Sequence, residues 1–106
     1  VDAACDPAWA QEARAIAGLG VVQDVGELFC TGCLVNDLDP AAGTDYLLTA
    51  NHCVASQAEA DDTEFYWFYQ TTTCNGLPPR LVDVPRTSGG AAFVAGAYVR
   101  FRNDFA

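Results

Sequence analysis

Five cysteines in 106 residues constrain this chain more than any other feature: Cys5, Cys30, Cys33, Cys53 and Cys74. Such a density is usual either for an intracellular metal site or for a disulfide set formed in an oxidising compartment. The odd number leaves one thiol over, or pairs it outside this chain. Cys30 and Cys33 form a Cys-x-x-Cys pair, which invites a redox or zinc reading. Geometry opposes both. The segment "LFCTGCLV" (28–35) reads as a strand. Three residues of extended strand span roughly 10 Å, whereas a disulfide needs Cα atoms within about 7 Å. The odd spacing also points the two side chains to opposite faces. A zinc site from Cys30, Cys33, His52 and Cys53 would require the adjacent His52 and Cys53 to converge on one ion, so no metal and no other cofactor is expected. Bridges to distant partners fit better. A Cys30–Cys53 bridge would tie one strand to the end of the next for roughly 3 kcal/mol, and a Cys5–Cys74 bridge would clamp the N-terminal segment for roughly 4 kcal/mol. Cys33 then remains as a small, buried apolar group.

The length suits one domain, residues 1–106, and 51% hydrophobic with 18% charged residues is a globular composition. A net charge of -9 excludes nucleic acid as a partner, because phosphates need cations to neutralise them. No run approaches the roughly 18 apolar residues of a membrane span, and no membrane partner is expected. The opening "VDAACDPAW" lacks the basic start and apolar block of a signal peptide, although a precursor's signal would already have been removed. Residues 1–20 read as an N-terminal extension with a short helix over 7–17, which Gly18 and Gly20 end. Strands are expected at 28–35, 45–50, 64–73, 80–84 and 91–101, separated by Pro- and Gly-containing turns, so the fold class is all-β, a barrel or sandwich. The ending "RNDFA" reads as an interruption.

One stretch carries chemistry. "YLLTANHCV" (46–54) delivers the single histidine, His52, to the end of an apolar strand and follows it with a cysteine. Taken alone, a lone histidine is most simply a strand-end residue bonded to backbone. A rigid strand and a tethered neighbour, however, are what a general base requires.

"CTGCLVND…YLLTANHC" resembles the trypsin-like, chymotrypsin-fold serine proteases. With "EFYWFYQTTTC" and the early Cys5, the likeness is greatest to secreted bacterial lysyl endopeptidases. The resemblance implies the N-terminal six-stranded Greek-key β-barrel of a two-barrel fold, the second barrel being absent. It implies a Cys30–Cys53 bridge and His52 as catalytic base. "NDFA" matches the opening of the family's aspartate segment, which makes Asp104 the triad carboxylate; without the resemblance Asp104 is a turn residue. It also implies a secreted, extracellular or periplasmic location and a peptide or protein substrate.

Two departures stand out. Cys33 occupies a position where the family usually has Ser or Thr. The family's nucleophilic serine, in Gly-Asp-Ser-Gly-Gly, has no counterpart; "TSGG" around Ser88 lacks the preceding Gly-Asp and reads as a turn. The expectation is a serine endopeptidase whose chain here supplies His52 and Asp104, inactive alone, with the serine in a C-terminal part. Such a half would meet a separate C-terminal half or self-associate through the exposed barrel face. The alternative is a protease-like binding or adhesion module without catalysis.

Overall fold

The computed structural model describes residues 3–23, 26–39, 41, 43–99 and 103–106. Its centre is a five-stranded antiparallel sheet in the order β3-β2-β1-β4-β5, where β1 is Ile16–Gln23, β2 Gly26–Val35, β3 Tyr46–Leu48, β4 Glu64–Trp67 and β5 Arg86–Thr87. A separate hairpin pairs β6 (Ala97–Val99) with β7 (Asn103–Phe105). One short helix, α1 (Gln57–Asp61), lies between β3 and β4. The fold is thus predominantly β among the described residues, but these strands do not form the expected six-stranded closed barrel.

The differences have local causes. The helix expected over 7–17 is replaced by short 3-10 turns at Pro7–Trp9 and Glu12–Ala15, and the chain is already in β1 at Ile16. Gly18 and Gly20 do not end a helix; they sit mid-strand under aromatic rings. A Cβ on Gly18 would lie 2.7 Å from Phe29 Cζ, and one on Gly20 would lie 3.2 Å from Tyr66 Cε2. The aromatic segment stays in strand only to Trp67, because Phe68 turns left-handed (φ 57°) and leaves the ladder. "RLVDV" becomes a 3-10 turn at Leu81–Asp83. Pro78, Pro79 and Pro85 flank it and have no N–H to donate to a sheet. Of the strand expected over 91–101, only Ala97–Val99 forms, and residues 100 and 101 lie outside the described ones.

Alternation along β1 sets the core. Ala17, Leu19 and Val21 point inward and are at most 1% exposed; they meet Phe65 of β4 and Cys53, Val54 and Ala60 from the segment after β3. Burying Leu19 and Val21 contributes about 1.5–3 kcal/mol each. Between this inner face and residues 91–95 lies a largely apolar cavity of about 440 Å³, bounded also by Leu47 and Trp67.

α1 holds the return path of the chain. Ser56 caps it, accepting the Glu59 N–H through Oγ at 3.3 Å, while Glu59 reaches back to the Ala55 N–H at 2.6 Å. From its first turn Gln57 straps the segment leading to β6: Nε2 donates to the Ala91 carbonyl (2.9 Å) and Oε1 accepts the Phe93 N–H (2.8 Å).

Candidate functional site

β3 leads into Thr49, which is held on two sides. Its Oγ1 donates to the Thr31 carbonyl of β2 (2.9 Å), and its N–H and C=O exchange hydrogen bonds with Ala106, both 2.7 Å. The chain then turns tightly, with the Cys53 and Val54 N–H groups both donating to the Ala50 carbonyl. His52 stands on that turn. Its follower Cys53 is disulfide-bonded to Cys30 of β2 across a Cα–Cα distance of 6.2 Å.

The hairpin brings Asp104 to this turn. Asp104 Oδ1 accepts the His52 backbone N–H at 2.8 Å, and Oδ2 is hydrogen-bonded to His52 Nδ1. The imidazole remains 61% exposed and the carboxylate 32%. The hydrogen bond from the His52 ring holds the Asp104 carboxyl below its ordinary value of 3.8. Partial burial opposes this, while the His52 N–H, the imidazole charge and the Asn51 N–H reinforce it. A carboxylate seated on Nδ1 favours the tautomer that carries the proton there and would stabilise an imidazolium.

The remaining residues fall as follows. Cys5 and Cys74 are disulfide-bonded, tying the N-terminal 3-10 turns to the segment after β4. Cys33 is unbridged and half-buried rather than fully buried, in β2 opposite Ile16 and Leu48. Cys30, His52 and Cys53 place donor atoms within 4.8 Å of one another. Both sulfurs belong to one disulfide, however, and offer no thiolate to a metal. Ser88 is exposed in a bend whose Gly89 and Gly90 are both left-handed (φ 100° and 70°), and its hydroxyl donates to Glu64 Oε1 at 3.4 Å. Sequence reasoning passed over Asn51 and Gln57, since an amide beside a histidine and one at a helix start carry no pattern. Gln57 fastens the segment that leads to β6, and Asn51 immediately precedes His52 on the turn.

Residues 1–105 match the family described as lysyl endopeptidase, C-terminal domain. Among curated proteins, a secreted RxLR effector protein 73 of Plasmopara viticola is 32% identical over 62 residues, covering 58% of this chain and 14% of that protein. A lysyl endopeptidase of Pseudomonas aeruginosa is 38% identical over 53 residues, covering 50% of this chain and 11% of that protein. The chain therefore spans only about a seventh or less of these relatives' lengths. No solved structure matches. The matched family is described as a C-terminal domain, which is not the N-terminal protease half that the motifs imply. With a match over nearly its whole length, this chain belongs to the lysyl endopeptidase C-terminal domain family.

Proposed function

We propose that this chain is the histidine- and aspartate-bearing part of the catalytic unit of a secreted serine-type endopeptidase, supplying the base His52 and its orienting carboxylate Asp104. On this reading the catalytic unit lies toward the C-terminal end of a longer protein and itself begins with the histidine-bearing part, which is compatible with the description of the matched family. The observation that carries the reading is the contact of one carboxylate with both the ring Nδ1 and the backbone N–H of His52. In that role His52 takes the proton from a serine hydroxyl as it attacks the peptide carbonyl. It then gives the proton to the leaving amine as the C–N bond breaks, which leaves an acyl-enzyme, and water activated by the same imidazole hydrolyses that ester to free the serine. The serine and the oxyanion hole come from a C-terminal part outside this chain. The two disulfides and the secreted relative support an extracellular or periplasmic setting.

The docking surface for that part is the outer face of the sheet, where Ile16, Phe29, Val35 and Leu48 are exposed. The test is to express the chain alone and with the protein segment that follows it, and to assay peptide and ester substrates. Turnover only in the longer protein, lost by about 10⁴-fold in kcat with Asp104→Asn, is the expected result. Robust turnover by this chain alone, abolished by Ser88→Ala, overturns it. The second reading is a protease-like, non-catalytic binding or adhesion module. Inactivity of the longer protein would favour that reading.

A further inference from the structure

Gly96 immediately precedes β6. It is solvent-exposed, yet crowded on one side. A Cβ built there would lie 2.6 Å from Asn51 Nδ2, 2.9 Å from Phe93 Cζ and 3.1 Å from the Phe105 carbonyl oxygen. Its backbone is not among the left-handed glycines, so space rather than conformation demands the missing side chain. The three crowding groups come from three parts of the site. Asn51 precedes His52, Phe93 is strapped by Gln57, and Phe105 follows Asp104.

We infer that Asn51 is a positioning residue for the His52–Asp104 pair, and that Gly96 is the socket into which its side-chain amide fits. This rests on the reading of that pair as catalytic. The Asp104 carboxylate holds both the backbone N–H and the ring Nδ1 of His52, the residue that follows Asn51, so the turn must sit at one fixed height against the hairpin. On the β7 side, that height is set by the paired hydrogen bonds of Thr49 with Ala106. On the β6 side, the Asn51 side chain lodged at Gly96 sets it. A methyl group at position 96 would push against an amide that can swing away, but also against a main-chain carbonyl that cannot move without the hairpin. The displacement would pass directly to Asp104, eight residues on and paired within the same hairpin.

His52 is the only imidazole in the chain, so nitrogen-15 spectra report on one ring. The readouts are the tautomer, the low-field Nδ1 proton and the exchange of that proton with water, measured for the native protein, Gly96→Ala, Asn51→Ala and the double variant. The native protein is expected to hold the Nδ1–H tautomer. Gly96→Ala, still folded by circular dichroism, is expected to exchange this proton about tenfold faster. Asn51→Ala should fall in between, and the double variant should recover part of the way from Gly96→Ala toward Asn51→Ala, because the amide that the new methyl meets is gone while Phe93 and the Phe105 carbonyl remain. A native protein without the Nδ1 signature sinks the catalytic-pair reading itself. A native signature left unchanged in folded Gly96→Ala overturns the positioning role alone. So does a double variant no better than Gly96→Ala. Should Gly96→Ala not fold, Asn51→Ala decides: an unaltered signature overturns the inference.

Discussion

Removing the Cys5–Cys74 bridge by Cys5→Ser with Cys74→Ser should cost this fold about 4 kcal/mol. The bridge joins residues 69 apart in sequence. A bare loop of that length carries about 4.4 kcal/mol of closure entropy at 25 °C. The Cys30–Cys53 bridge, with a separation of 23, lies inside that loop and shortens the path around it. The effective loop is then roughly 46 residues, which lowers the contribution to about 4.0 kcal/mol. The assay is urea unfolding of native and doubly substituted protein without reductant, followed by tryptophan fluorescence. Because the bridge acts on the unfolded chain, the variant's denatured state should also be less compact and its m-value higher. A loss under about 1 kcal/mol with an unchanged m-value would show that the N-terminal turns are held by contacts instead, and the entropic argument would fail.

Leu19→Ala should cost about 2–5 kcal/mol by denaturant unfolding, since Leu19 is 1% exposed and packed in the core cluster. Phe68→Asn should stabilise by about 1 kcal/mol in the same assay, because Asn tolerates the left-handed backbone (φ 57°) that strains Phe. Gly32→Ala should destabilise by about 1–3 kcal/mol, its new methyl meeting Leu47 Cδ2 at 2.5 Å and the Leu48 carbonyl at 3.2 Å. The Asp104 carboxyl is depressed in the folded state, so its contribution to stability is present above the unfolded carboxylate value and lost as pH falls through the folded one. Carbon-13 titration of Asp104 should show this depression, and His52→Ala should largely remove it.

The legible parts of this chain were those with a short sequence period or a dense motif. "LFCTGCLV" and "YLLTA" are short apolar runs bounded by turn residues; β2 covers the first and extends two residues before it, and β3 lies within the second. β1 was hidden because its outward positions Gly18 and Gly20 mimic a helix stop. Their reason, the rings of Phe29 and Tyr66 above them, comes from strands distant in sequence. The long run "EFYWFYQTTT" has strand propensity throughout, but a ladder ends where a partner ends, and propensity does not announce the left-handed turn at Phe68. At the site, His52 and Asp104 could be named from motifs. The amide strap of Gln57 and the fit of Asn51 at Gly96 could not, since both depend on how an irregular segment is folded back.

The two members of the pair are tethered unequally. The imidazole is carried within both covalent rings, between Cys30 and Cys53 and between Cys5 and Cys74, whereas the carboxylate lies beyond the last cysteine. Among the described residues its arm is fastened by hydrogen bonds and packing, at Gln57, Ala60, Thr49 and His52. On warming or partial proteolysis the arm should therefore come loose first, leaving an intact sheet that bears a histidine without its counter-charge.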